Sequence, residues 1–330
     1  MKKSLLALAA LTAFAGVASA QSSVTLFGIV DLAARSVKNG NAGSIKSLST
    51  NGQVSSRLGV RGVEDLGGGM RAGFWIEGDL VGDTGNPAGQ TWQRRSTLSL
   101  IGNFGEIRLG RDYNPVFNTA VSHDPFAYVG VATLGNLRSA VFANATAAVA
   151  ARNDNSIGYF LPAMGGLYGQ VMIAAGEGVR GNKYTGGRLG YAAGPMNFSA
   201  AFGKSDRTGA MVDDLTAIIF GGSYNFGFAT VHATYETVEY STIERKLASV
   251  GLVVPTGTGA FKAQYVRATN SSLIGLGYVQ GLSKRTSIYT NFGRVANKGP
   301  ATFTASPSGP AGMRPGQTST GYDIGIRHDF

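Results

Sequence analysis

Apolar and polar residues alternate with a period of two along most of the chain. The carboxyl-terminal segment shows this clearly, because one face of the strand it predicts would carry Tyr322, Ile324, Ile326, His328 and Phe330. The positions between them are charged residues or glycine. A strand with one apolar and one charged face suits a closed sheet with lipid outside and water inside. The pattern therefore predicts a transmembrane β-barrel whose last strand ends in an aromatic residue.

The alternating segments form hairpins with short turns. Leu58 and Val60 alternate with Arg57 and Arg61, a glycine-rich turn follows at residues 64–69, and the alternation resumes at Met70. Six further turns are predicted at residues 102–105, 161–166, 192–195, 225–227, 255–259 and 281–286. Two strands for each hairpin, together with the first and the last strand, give a predicted count of 16 strands.

The amino terminus has the features of an export signal. Lys2 and Lys3 precede an apolar stretch from Leu5 to Val17, and the small residues Ala18-Ser19-Ala20 offer a cleavage site. A membrane anchor is the alternative, but the apolar stretch is shorter than the ~20 residues that a spanning helix needs. The sequence predicts a cleaved signal peptide over residues 1–20 and one barrel domain over residues 21–330.

A barrel is favoured over a soluble β-sandwich, which alternates in the same way. Strands in a bilayer must close on themselves, because an unpaired edge amide would lose water without gaining a partner. The export signal, the terminal Phe330 and the regular succession of short turns and longer polar loops favour the barrel. The predicted fold is an all-β, transmembrane, 16-stranded antiparallel barrel.

Composition narrows the classes of function. The chain has no cysteine, and its three histidines, His123, His232 and His328, form no ligand pair or nucleophile motif. No cofactor, metal site or enzymatic activity is therefore predicted. The chain has 29 basic and 19 acidic residues, but the basic ones are dispersed without an aromatic platform, which argues against nucleic-acid binding.

One connection is much longer than the others. Residues 111–154 show little strand pattern, contain apolar residues such as Val116, Phe117 and Leu137, and include an alanine-rich stretch that could form a short helix. Connections of this length usually have a function of their own. This segment is predicted to fold into the lumen and constrict the pore, with an outward surface loop as the alternative.

Five stretches resemble the trimeric general porins of Gram-negative outer membranes, specifically their beta-proteobacterial branch. They are Val24–Asp31, Ser56–Gly69, Arg108–Arg111, Asn155–Tyr159 and Leu282–Thr286. With the terminal Phe330, the resemblance extends over essentially the whole chain after the leader. It implies a homotrimer of 16-stranded barrels, each with its third external loop folded into the pore.

The resemblance also implies wall arginines that face acidic groups across a constriction. The corresponding positions here are Arg57, Arg61, Arg95, Arg108, Arg111, Asp112, Asp124, Arg138, Arg152 and Asp154. The acidic Pro-Glu-Phe-Gly type sequence of the family's loop is absent, and Arg138 and Arg152 would make the loop side partly basic. The alternative for each arginine is a wall residue that only pairs with a nearby carboxylate.

These observations predict a porin in the outer membrane of a Gram-negative bacterium. It would pass small hydrophilic solutes and ions by passive diffusion, and a ring of arginines would favour anions. Predicted partners are outer-membrane lipid, lipopolysaccharide and the barrel-assembly machinery, for which Phe330 would be the signal. A substrate-specific porin for a small anionic solute, or a barrel acting as adhesin or phage receptor, are the alternatives.

Overall fold

The structure is almost entirely β-sheet. The computed structural model describes residues 23–141, 150–178, 182–206, 214–240 and 242–330, so the predicted signal peptide lies outside the described residues. The first eight strands are β1 Ser23–Asn39, β2 Ser44–Thr50, β3 Arg57–Gly67, β4 Met70–Asp79, β5 Arg95–Gly102, β6 Gly105–Tyr113, β7 Arg152–Phe160 and β8 Leu167–Ala174. The others are β9 Tyr184–Ala193, β10 Met196–Ser205, β11 Leu215–Asn225, β12 Thr230–Tyr240, β13 Ile243–Thr256, β14 Gly259–Ala268, β15 Ser271–Gly281, β16 Thr286–Asn297 and β17 Ser319–Asp329.

The sheet is a closed barrel of 16 antiparallel strands. From β3 onward each strand pairs with the next one in the chain, and β17 pairs with β1. The first half of β1 pairs with β3 and its second half pairs with β2. β2 and β3 therefore together occupy one place in the ring. The predicted barrel, its strand count and its seven short turns are confirmed.

The two chain ends meet where the barrel closes. The backbone amide of Gly28 donates to the carbonyl of Phe330 at 3.0 Å, and the amide of Phe330 donates to the carbonyl of Gly28 at 3.0 Å. A side chain at residue 28 would overlap the phenyl ring of Phe330, so glycine leaves the space that this ring occupies. The aromatic terminus therefore packs on the first strand.

The strands have an apolar face and a polar face. The apolar face has exposed side chains, such as Leu26 at 62% and Ile324 at 69% exposure. The polar face carries charged and small residues that are buried, including Asp31, Glu77, Glu236 and Asp323. The predicted alternation is thus confirmed. Among the described residues no helix is long and apolar enough to span a membrane.

The ring has an interruption between β2 and β3 that the sequence did not predict. The carboxylate of Asp31, fully buried in β1, accepts hydrogen bonds from the backbone amides of Gln53 at 2.7 Å and Val54 at 2.6 Å. The Tyr289 hydroxyl donates to the same carboxylate. These bonds satisfy amides that the interrupted strand leaves without ladder partners.

The long connection contains two short helices, α1 Pro115–Ser122 and α2 Gly135–Val141. β6 extends to Tyr113 and β7 begins at Arg152, so the connection spans residues 114–151 rather than the predicted 111–154. Most of the predicted alanine-rich stretch, residues 142–149, lies outside the described residues. Asn114 caps α1 by accepting from the amide of Phe117 at 2.8 Å, and Pro115 suits the first helical turn.

Both helices pack against the polar face of the later strands. In α1, Val116 and Ala120 join a buried cluster with Tyr184, Leu215 and Ile219. In a second cluster, Leu134 and Leu137 lie against side chains of β13 to β16, which are Leu247, Val266, Leu273 and Val295. The burial of these apolar side chains stabilises the position of the connection.

A row of glycines lets the connection lie close to the wall. Gly275, Gly293 and Gly321 stand directly opposite one another on β15, β16 and β17. A Cβ atom at Gly293 would overlap the carbonyl oxygen of Val131, and one at Gly275 would overlap the carbonyl of Ala132. Part of the glycine content of the chain is therefore explained by contact between two backbones.

We expect Gly293→Ala to destabilise the protein by about 1–3 kcal/mol, because the added methyl group forces residues 131–132 away from the wall. Gly73→Ala is the matched control, since a Cβ there would have its nearest neighbour at 3.5 Å. Denaturant unfolding of both variants in detergent measures the difference. Equal destabilisation by the two substitutions would contradict the role assigned to the row.

Candidate functional site

Seven arginines lie together on the polar face of the first half of the barrel. This arginine cluster consists of Arg57, Arg61, Arg94, Arg95, Arg108, Arg152 and Arg188. Six of them come from strands β3, β5, β6, β7 and β9, and Arg94 directly precedes β5. Because neighbouring strands stand side by side in the ring, residues that are far apart in sequence reach one patch of wall.

Four carboxylates lie among these guanidinium groups. Glu77 accepts from Arg94 at 2.6 Å and lies 3.5 Å from Arg57. Asp112 lies 2.5 Å from Arg108 and 3.6 Å from Arg95. Asp79 and Glu106 complete the set, paired with Arg94 and Arg108 at 2.9 Å each. The cluster therefore carries seven positive and four negative charges.

Three members of the cluster lack a carboxylate partner in the part of the chain that the structure describes. Within the described residues, Arg61, Arg152 and Arg188 form no ion pair closer than 4.0 Å. Each lies over an aromatic ring instead. The distances from guanidinium carbon to ring centre are 4.9 Å for Arg61 and Trp75, 4.2 Å for Arg152 and Tyr113, and 4.8 Å for Arg188 and Tyr168. Such stacking holds the guanidinium group without neutralising its charge.

Two cavities adjoin the cluster. Arg95 and Arg108 line both of them. The first cavity, of about 340 Å³, is also bounded by Arg188 and by Asn118 of α1. The second, of about 440 Å³, extends toward Thr25 near the start of β1. The paired arginines thus separate a space beside the long connection from a space beside the first strand.

Two predicted constriction residues lie on the other side of the sheet. Arg111 pairs with Ser96, and the next pair of the same alternation is Leu109 with Leu98, which lies on the apolar face. Arg111 therefore lies on the apolar face as well. Its guanidinium group pairs with Asp154 at 2.5 Å, where 62% of the Asp154 side chain is exposed. An irregularity in the pairing of β6 with β7 accompanies this position. The structure thus separates Arg111 and Asp154 from the cluster to which sequence analysis assigned them.

The carboxylate of Asp124 accepts hydrogen bonds from other residues of the connection. Its carboxylate accepts from the amides of Phe126 at 3.0 Å and Tyr128 at 3.1 Å and from the hydroxyl of Thr133. Burial raises the pKa of this carboxyl group above its usual range. Asp124 therefore organises the turn after α1 and presents no open carboxylate to a solute.

Arg138 is likewise a structural residue. Its guanidinium group donates to both oxygens of Glu236 on β12, at 2.7 and 2.8 Å, and both side chains are only 1% exposed. This buried ion pair links α2 to β12 in the barrel wall. The expectation that Arg138 makes the loop side basic is corrected, because Glu236 offsets its charge.

Two members of the cluster, Arg94 and Arg188, are not among the constriction residues predicted from the sequence. Arg188 alternates with Leu189 in β9 and so could have been found by the same period of two. Arg94 could not, because it lies next to Arg95 and the period of two would place the two on opposite faces. Its bonds to Glu77, Asp79 and the Tyr113 hydroxyl show that it turns inward before β5 begins.

Comparison with known proteins identifies the family. A family profile described as Gram-negative porin matches residues 7–300. The chain is 39% identical to outer membrane porin protein 32 of Delftia acidovorans, and the match covers 100% of both chains. The chain belongs to the Gram-negative porins. As a porin of this family it forms a channel for passive diffusion across the outer membrane, and it is not an enzyme.

Solved porin structures agree with the fold. The anion-selective porin from Comamonas acidovorans is 37% identical, with a TM-score of 0.87 over 94% of this chain and 100% of that one. OmpT of Vibrio cholerae, described in a trimer form, has a TM-score of 0.65 at 14% identity, over 94% of this chain and 99% of that one. The second match supports the fold alone.

We expect Glu236→Gln to cost roughly 3–5 kcal/mol of unfolding free energy, because it leaves the Arg138 charge buried without its counter-ion. Glu244→Gln is the control, since Glu244 and Lys246 form an exposed pair at 2.9 Å and such pairs contribute about 1 kcal/mol or less. Denaturant titration of the folded porin measures both. A loss at Glu236 no larger than at Glu244 would exclude the anchoring role of this ion pair.

Proposed function

We propose that this porin is an anion-selective channel in which the described part of the connection, residues 114–141 and 150–151, narrows the lumen beside the arginine cluster. The observation that carries the proposal is the excess of three guanidinium groups over carboxylates on one patch of the polar face. The similarity to a porin described as anion-selective supports it.

The position of the connection inside the barrel is supported by the strands it contacts. α1 packs on β8 to β11, α2 packs on β13 to β15, and Val131 lies against β16 and β17. These strands occupy more than half of the ring. The contacts of this segment of under 30 residues with their polar faces support a position on the concave side of the sheet. The remaining opening then faces β3 to β7, where most of the cluster lies.

The charge excess acts strongly only near the narrowest point. Two unit charges 4 Å apart interact by about 1 kcal/mol in bulk water and by about 4 kcal/mol near a protein surface of lower dielectric. Screening at physiological salt limits the reach of each charge to ~8 Å. Arg61, Arg152 and Arg188 would therefore attract anions within the constriction, whereas the dispersed basic residues elsewhere would add little.

A solute would enter from the outer side, pass the constriction and leave down its gradient. Small hydrophilic solutes would be filtered by size and charge, without a cofactor or an energy source. The refined constriction set is the arginine cluster with Asp112 and the other three paired carboxylates. Arg111, Asp124, Arg138 and Asp154 do not belong to it.

Assembly and export complete the proposal. Residues 1–20 would be removed as a signal peptide, and the barrel domain over residues 21–330 would assemble as a homotrimer, as the resemblance to trimeric general porins implies. The terminal Phe330 would be read by the barrel-assembly machinery before it packs on Gly28. Basic residues at the outer rim would contact phosphate groups of lipopolysaccharide.

We expect the zero-current potential of the purified porin in a KCl gradient to have the sign of chloride preference. The double variant Arg61→Gln/Arg188→Gln should lose most of that preference, because it removes two of the three unbalanced charges. Higher salt should weaken the preference of the native porin through screening.

Arg111→Gln is the matched control, because this arginine pairs with Asp154 on the other side of the sheet. It should leave the potential unchanged. A native channel that favours potassium, or an equal effect of the control and the double variant, would overturn the proposed function.

A further inference from the structure

Trp75 occupies an unusual place on the polar face. It stands on β4, directly opposite Arg61 of β3 and Thr97 of β5. Tryptophan is a large apolar side chain, and the other residues of β4 on this face are Arg71, Gly73, Glu77 and Asp79. Its presence among charged residues therefore requires a reason other than lipid contact or core packing.

The indole ring lies within cation–π distance of two arginines of the cluster. The guanidinium carbon of Arg61 is 4.9 Å from the ring centre, and that of Arg95 is 4.5 Å from it. Phe27 packs edge-on against the same indole at 5.1 Å. The ring is thus fixed by one aromatic contact and faces two cations, a geometry in which its electron-rich surface attracts both.

The indole nitrogen reaches two further arginines through one carboxylate. Nε1 of Trp75 donates to Oε2 of Glu77 at 3.0 Å. The other oxygen of Glu77 accepts from Arg94 at 2.6 Å and lies 3.5 Å from Arg57. One uncharged side chain therefore contacts Arg61 and Arg95 directly, and Arg57 and Arg94 through Glu77.

The contacts with Trp75 are most important for the position of Arg61. Among the described residues, Arg61 has no carboxylate within 4.0 Å, and its stabilising contacts are the rings of Trp75 and Phe27. Arg95 lies 3.6 Å from Asp112, with its guanidinium group over the indole. Without the indole ring, Arg61 would no longer be held in its position, and Arg95 would move closer to Asp112. The positive electrostatic potential of the cluster would then weaken, although its formal charge would stay the same.

We propose that Trp75 is a positioning residue that sets the anion preference of the channel by holding the arginines of the cluster in place. The inference rests on the proposed function of the cluster. It assigns part of the charge selectivity to a residue that carries no charge and that no charge count of the sequence would include.

Two substitutions separate the two kinds of contact. Trp75→Phe keeps an aromatic ring and loses the donor to Glu77, whereas Trp75→Gln keeps an amide donor and loses the ring. We expect Trp75→Gln to reduce the chloride-over-potassium permeability ratio several-fold and Trp75→Phe to retain most of it. Trp92→Gln is the control, because Trp92 is the other tryptophan of the chain and lies in the exposed connection before β5.

The readout distinguishes positioning from simple filling of space. If the indole only occupied volume, Trp75→Gln would raise the single-channel conductance and leave the permeability ratio unchanged, and the inference would be overturned. If the native porin showed no chloride preference, the proposed function itself would fail. A chloride-selective native porin whose ratio survives Trp75→Gln refutes only the role of Trp75.

A second measurement leaves Trp75 in place and so does not depend on how its variants fold. In a Trp92→Phe porin, all indole fluorescence comes from Trp75. Iodide should quench this fluorescence more strongly than caesium, because Arg61 and Arg95 would attract the anion to the ring. Equal quenching by the two ions, or stronger quenching by caesium, would contradict the proposed stack.

Discussion

The closure of the backbone hydrogen-bond ladder is the constraint on which the rest of the structure depends. In a membrane no water is present to satisfy an open strand edge, so the sheet must end where it began. Here β17 pairs with β1 over eleven residue pairs from Ile29 to Asn39, and the bonds between Gly28 and Phe330 continue the ladder to the last residue. Once the ring is closed, successive residues of every strand face the outside and the inside of the barrel in turn. The alternation of apolar and polar residues in the sequence follows from these two environments.

The polar face is divided into two regions with different tasks. The later strands carry glycines and small or apolar residues, and they bind the long connection through close backbone contacts, two apolar clusters and the Arg138–Glu236 pair. The early strands carry the arginine cluster. In the proposed channel, selectivity would depend on both regions, because one would hold the obstacle and the other would supply the charge beside it.

The closed fold was predictable because it depends on a pattern local to each strand. Period-two alternation and short glycine-containing turns were sufficient for the hairpins, the count of 16 strands and the position of Phe330 at the end of the last strand. The interruption at residues 51–56 was not predictable, since it is held by Asp31 and Tyr289, which come from strands distant in sequence. The site was predicted only in part for the same reason. Arg57, Arg61, Arg95 and Arg108 follow from alternation, whereas the partners of Asp124 and Arg138 are set by long-range packing and turn geometry.

The most direct test of the account places a reporter on the connection itself. The chain has no cysteine, so Asn118→Cys would introduce a single thiol on α1, beside the cavity lined by Arg95, Arg108 and Arg188. If the connection lies in a positive lumen, a negatively charged methanethiosulfonate reagent should reduce the channel current and react about tenfold faster than a positively charged one of similar size. Modification without a change in current, or faster reaction of the cationic reagent, would contradict the account.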